Sequence, residues 1–70
     1  MKYLIVIEQT ETRYSAYSPD VPGSVSTGPT VAALRRNMRR ALAFHLEGMR
    51  IEGEPIPAPS SRSSYVEVAA

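Results

Sequence analysis

The rhythm of hydrophobic and polar positions changes several times along this chain. Lys2–Gln9 opens on Tyr3-Leu4-Ile5-Val6-Ile7, apolar on both alternating faces and rich in β-branched residues, which predicts a strand. A strand with one face in water alternates instead. The run therefore predicts a central place in a sheet and a second face needing cover, from self-association or from the C-terminal tail. Polar Thr10-Glu11-Thr12-Arg13 suits a hairpin connection, and Tyr14–Ser18 reads as the second strand. Pro19-Asp20-Val21-Pro22-Gly23 breaks it. Pro22 and Gly23 fit the central positions of a type II turn, since proline presets φ and glycine accepts φ > 0. Asp20 is expected to accept from backbone amides just ahead of it in an Asx-type turn. Ser24–Thr27 predicts a brief third strand, completing an antiparallel meander over 1–28.

Gly28-Pro29-Thr30 marks a helix start, with Thr30 as N-cap. Apolar positions then recur at Val31, Leu34, Met38, Ala41, Leu42, His45, Leu46 and Met49, the spacing of one buried helical stripe. The helical segment covers 30–52, and taken from Val31 to Glu52 it would run about 33 Å. Gly48 weakens it by about 1 kcal/mol relative to alanine and predicts a last turn that frays or bends. Gly53 fits the residue just past the helix end. Glu54-Pro55-Ile56-Pro57-Ala58-Pro59 predicts an extended, solvated arm, with Ser60–Ser64 a flexible continuation, the whole arm covering 53–64. Tyr65-Val66-Glu67-Val68 predicts a last strand over 65–68. The helix and arm form a crossover long enough to bring it back parallel beside the first strand, with right-handed connection. The expected fold class is α+β, β-β-β-α-β, with one long helix on one face of the sheet and 1–70 as one domain.

Seventy residues lie near the lower size at which a single core is self-sufficient. With no cysteine, neither disulfides nor cysteine-bound metal can supply stability, whereas a second copy or a partner can. The apolar run after Lys2 is too short for a signal peptide and is cut by Glu8. No segment is long enough to span a bilayer. A cytoplasmic protein without a membrane partner is expected.

Candidate chemistry is sparse. His45 is the single histidine and falls in the apolar stripe, so it reads as a core residue with satisfied nitrogens rather than a catalytic one. A metal-dependent nuclease would need several carboxylates in one cleft; Glu8 and Asp20 are the pair that could meet across the sheet. Gly23 and Gly28 lack the context of a phosphate-binding loop and are explained by backbone geometry. No catalytic residue, metal or cofactor is expected. Four of the eight basic residues, Arg35, Arg36, Arg39 and Arg40, fall within six positions. At 100° per residue they share an arc opposite the apolar stripe, with Arg50 in the same arc. That face is either a patch for an anionic partner such as RNA, DNA or an acidic protein, or a solvated face of good helix formers.

Taken together, Met1–Glu8, Tyr14–Tyr17, Pro19-Asp20-Val21-Pro22-Gly23, Thr27-Gly28, His45-Leu46-Glu47-Gly48, Gly53–Pro57 and Tyr65–Val68 resemble, in order and spacing, the HicB family. That family is the antitoxin half of a bacterial toxin–antitoxin pair. The resemblance implies a truncated ribonuclease-H-like domain without an acidic nuclease site. It implies a non-enzymatic role, binding and occluding a HicA-type toxin that cleaves mRNA, and a homo-dimer or higher homo-oligomer. Many members carry a further C-terminal DNA-binding domain; these 70 residues are expected to hold the small domain alone. HicA toxins are basic, so the arginine face is not expected to meet one: either the toxin docks on the sheet side or an edge strand, or this member has another partner. The rival function is a nucleic-acid-binding module using the arginine-rich helix.

Overall fold

The computed structural model describes all 70 residues, Met1–Ala70. Strands β1 (Val6–Gln9), β2 (Tyr14–Tyr17) and β3 (Val25–Gly28) precede one long helix, α1 (Val31–Ile51). The strands form an antiparallel meander in the order β1-β2-β3, with Val6 opposite Tyr17, Ile7 opposite Ala16, Ala16 opposite Ser26 and Tyr14 opposite Gly28. Thr10 closes the first connection: its amide donates to the Arg13 carbonyl, and its hydroxyl accepts from the Arg13 amide at 3.0 Å. Ser18 extends the β1–β2 link by donating its hydroxyl to the Leu4 carbonyl at 3.0 Å.

The second connection follows its turn chemistry. Ser24 N–H donates to Val21 C=O at 3.2 Å across Pro22-Gly23, and Gly23 adopts φ +90°, the positive value a type II turn asks of its third residue. Val21 is fully buried there.

The helix is held at both ends by its own sequence. Thr30, extended at φ −135°, accepts from Ala33 N–H at 3.1 Å. At the far end Gly53 takes φ +75°, its amide donates to Arg50 C=O, and Glu54 N–H donates to Met49 C=O at 2.8 Å. This paired closure is the Schellman arrangement. The helix continues as one element through Gly48 to Ile51, where a frayed or bent last turn was expected.

Packing is one-sided. Ala16, Leu34 and Met38 form the buried centre, with Ile5, Tyr14 and Leu42 against it. The helix lies on β2 and β3 and makes no contact with β1. Gly28 permits this approach: a Cβ there would stand 2.7 Å from the Leu34 backbone nitrogen. Asn37 fastens the same region by donating from Nδ2 to the Thr27 carbonyl at 2.8 Å. Only seven of the 70 residues are buried, so the core is small even for this length.

Three expectations about the sheet need correction. The first strand begins at Val6 rather than Lys2, and it sits at an edge rather than the centre. Its two apolar faces arise because Ile5 reaches the helix-side core while Leu4 and Val6 are half-buried on the other face. Tyr65–Val68 forms no strand and does not lie paired beside β1; its apolar side chains are exposed. The observed architecture is a three-stranded antiparallel sheet with one long helix.

Candidate functional site

Asp20 is where the chain's distant parts meet. Its turn places the carboxylate at the end of the sheet, but no local amide donates to it as the Asx reading expected. Instead Oδ2 accepts from the amides of Ser60 and Ser61, each at 3.0 Å, and Oδ1 accepts from their hydroxyls at 3.1 and 2.8 Å. Four donors on one carboxylate favour the charged form. The Ser61 amide, then the Ser61 hydroxyl, hold the Asp20 carboxyl below its ordinary value; partial desolvation opposes them, and Ser60 adds to the lowering. Tyr3 Oη donates to the Pro57 carbonyl. The arm, expected to be solvated and flexible, is thus fastened at two points, though most of its residues remain exposed. Pro19, Pro22 and Gly23 shape the turn that presents Asp20, while Gly28 serves the helix contact instead.

The arginine arc divides. Arg35, Arg36, Arg39 and Arg40 are all exposed and make no ion pair. Arg50 is paired: its Nε donates to Glu47 Oε2 at 3.0 Å and its Nη2 to Oε1. That hydrogen bonding lowers the Glu47 carboxyl and raises the Arg50 guanidinium relative to their usual values. Glu47, three residues earlier on the helix, pairs with Arg50, so Arg50 leaves the free cationic face.

The nuclease constellation does not assemble. Glu8 stands opposite Ser15 within the ladder, whereas Asp20 lies in the turn beyond Tyr17, committed to the arm. No three His, Cys, Asp or Glu side chains gather as a metal site would require. His45 is half-buried, not part of the buried core, and makes no hydrogen bond; its ring carbon Cε1 lies 3.5 Å from where a Gly23 Cβ would be. It packs over the Pro22-Gly23 turn.

Two apolar surfaces remain open. On the sheet face away from the helix, Val6, Tyr17 and Val25 stand in one cross-strand row, with Tyr17 and Val25 42% and 67% exposed. Between the N-terminal segment and α1 lies a groove of about 710 Å³, floored by Ile5, Met38, Leu42 and Leu46 and rimmed by Lys2, Arg35 and Arg39. The helix leans onto β3 and away from the segment that precedes β1, which opens the groove between that segment and α1. Sequence reasoning missed Ser60, Ser61 and Tyr3 as tethers. A Ser-Ser pair after a proline arm offers donors, but no local signal links it to a carboxylate some forty residues earlier. No helix is long and apolar enough to cross a membrane.

A family model described as HicB_like antitoxin of bacterial toxin-antitoxin system matches residues 3–69. An uncharacterized 14.9 kDa protein of the rep-hol intergenic region of Haemophilus phage HP1 (strain HP1c1) is 36% identical over 66 residues, 94% of this chain and 50% of that protein. The chain thus spans about half the length of this curated relative. Among solved structures, a chain of a HicA3 and HicB3 toxin-antitoxin complex is 35% identical with a TM-score of 0.73, over 86% of this chain and 70% of that one.

Proposed function

The chain belongs to the HicB-like antitoxin family of bacterial toxin–antitoxin systems, and from that membership we propose that it binds and occludes a HicA-type, mRNA-cleaving toxin in the cytoplasm. The observation that carries this reading is the likeness, at 35% identity and TM-score 0.73, to a chain of a HicA3–HicB3 complex. Occlusion is a matter of surface complementarity and asks for no catalytic group, cofactor or metal, so the protein is read as non-enzymatic. The likeness to a truncated ribonuclease-H sheet belongs to the same reading.

The uncovered sheet face suits such a partner. The Val6–Tyr17–Val25 row offers apolar area with an aromatic at its centre, the composition that favours an interface core. Glu8, on the same face by alternation from Val6, suits a basic toxin. The cationic helix face points elsewhere, and like charge there would repel a basic protein.

The rival reading rests on the four unpaired arginines, a surface that fits phosphate. One experiment separates the two. A purified HicA-type toxin is incubated with an mRNA substrate, with and without the chain, at low and high salt. We expect stoichiometric protection that survives high salt and is lost in Tyr17→Arg. Uninhibited cleavage, together with RNA binding by the chain that falls steeply with salt and is lost in Arg36→Glu/Arg40→Glu, would replace the antitoxin reading with the nucleic-acid one.

A further inference from the structure

Five side chains form a row along the outer side of α1. Arg36, Arg40, Phe44, Glu47 and Ile51 follow one another at intervals of 4, 4, 3 and 4 residues, the spacing of a seam that one helix presents to another. At 100° per residue they fall within an arc of about 80°, turned away from buried Leu34 and Met38. All five are exposed, Phe44 by 84% and Ile51 by 70%.

The order of charges along the row selects its occupant. From Val31 to Arg40 the chain carries four arginines and no acid; from Ala41 to Glu54 it carries Glu47, Glu52 and Glu54 against Arg50. Arg36 and Arg40 repel each other at i,i+4 and have no acid beside them. Glu52 and Glu54 stand at the negative end of the helix dipole. A helix running antiparallel alongside answers both, since its acidic half lies beside these arginines. A phosphate surface, whether RNA or anionic lipid, would suit Arg36 and Arg40 but would meet Glu47 in the same row.

The row is also its own complement. Turned about a two-fold axis through Phe44, Arg40 of one copy comes level with Gly48 of the other, next to Glu47. Arg36 comes level with Glu52, next to Ile51. Phe44 then meets Phe44, Arg40 meets Glu47, and the aliphatic stem of Arg36 lies along Ile51. Gly48 has no side chain, and a Cβ there would meet nothing within 4 Å, so the second helix can approach closely. Glu47 already pairs with Arg50, but an exposed pair of this kind is weak and leaves the carboxylate free to accept from the incoming Arg40.

We propose that the outer face of α1 pairs antiparallel with the same face of a second copy of this chain, the two Phe44 rings packing across the two-fold axis. A self-complementary patch of this kind closes after two copies. It uses the helix layer, whereas the toxin is assigned to the opposite face of the sheet, so it does not rest on the antitoxin reading.

Charge reversal tests the pairing on the full chain. Arg40→Glu sets acid against acid at the contact, and Glu47→Arg sets cation against cation. Both positions are exposed, so helix content by circular dichroism is expected to stay unchanged. Sedimentation equilibrium of each variant alone, and of the two in equal amounts, reads the association. We expect the native chain to dimerise and each variant alone to dimerise about ten-fold more weakly or worse. The mixture is expected to recover association as a heterodimer, because the reversed charges then meet their opposites. Phe44→Ala is expected to weaken the dimer by a similar factor, with no recovery on mixing with either variant. A native chain that stays monomeric at every concentration would overturn the proposal. A dimer equally strong in both charge variants would overturn it by placing the interface elsewhere. Binding to RNA or to anionic vesicles that Arg40→Glu abolishes, with no association recovered in the mixture, would assign the row to phosphate instead.

Discussion

Asp20 and Ser61, 41 positions apart, share two hydrogen bonds, from the Ser61 amide to Oδ2 at 3.0 Å and from its hydroxyl to Oδ1 at 2.8 Å. With the Ser60 donors beside them, they join the β2–β3 turn to the arm that follows the helix. The bonds require a charged acceptor. Because the folded-state value of Asp20 lies below its ordinary 3.8, the attachment is in full force above that pH. It is lost as pH falls through the lower, folded value.

Asp20→Ala is therefore expected to free the arm at neutral pH, while wild type frees it only in acid below the ordinary carboxylate value. Amide hydrogen exchange by NMR reads this directly. The Ser60 and Ser61 amides should exchange about ten-fold faster or more in the variant, while core amides of Ala16 and Leu34 keep their protection. Equal protection of Ser60 and Ser61 in both proteins would show that Asp20 does not hold them.

Two glycines, one just ahead of the helix and one within it, should respond with opposite signs. In Gly28→Ala the new Cβ meets backbone, 2.7 Å from Leu34 N and 3.0 Å from Leu34 Cα, so helix and strand must part. A loss of about 1–3 kcal/mol is expected. Gly48→Ala meets nothing within 4 Å and should gain about 1 kcal/mol from helix propensity. Gly23→Val, at φ +90°, should lose about 1–2 kcal/mol to backbone strain. Chemical denaturation of the three variants gives the signs, and a stabilised Gly28→Ala would contradict the packing described.

Ser24 is buried, and its hydroxyl has no hydrogen-bond partner. A buried polar group left unpaired costs free energy that its removal recovers. Ser24→Ala is expected to raise stability by about 1 kcal/mol. A loss of similar size in the same denaturation experiment would mean that the hydroxyl has found a partner.

What could be read from the sequence was whatever a few neighbouring residues decide. Thr30 as N-cap, Gly53 past the helix end, Pro22-Gly23 in the turn and the Leu34–Met38 stripe each depend on local backbone geometry, and each is found in place. The order of strands was not of that kind. The Tyr3–Ile7 run is apolar on both faces whether a fourth strand covers its edge or not, so its composition could not reveal an open edge. For Asp20, the nearby amides are the only donors that its sequence context displays. Its actual donors are in the arm. Arg50 looks unpaired among cations because its acid, Glu47, sits three residues before it, outside the Arg35–Arg40 cluster that draws attention. The surfaces proposed for partners were least visible, since exposure of Val25 or Phe44 follows from what the rest of the chain leaves uncovered.

The close contact at Gly28 also decides how the molecule flexes. Leu34 and Met38, the Thr30 cap and the Asn37–Thr27 bond all grip the first two turns or so of α1, and beyond Met38 no helical residue is fully buried. The helix is thus a cantilever, clamped at its root on β3 and lightly supported towards its tip. A beam held this way deflects most at its free end, so displacement grows from Leu42 through Leu46 to Met49. The groove against the N-terminal segment, lined by Leu42, Ala43 and Leu46 among others, lies along that lightly supported half.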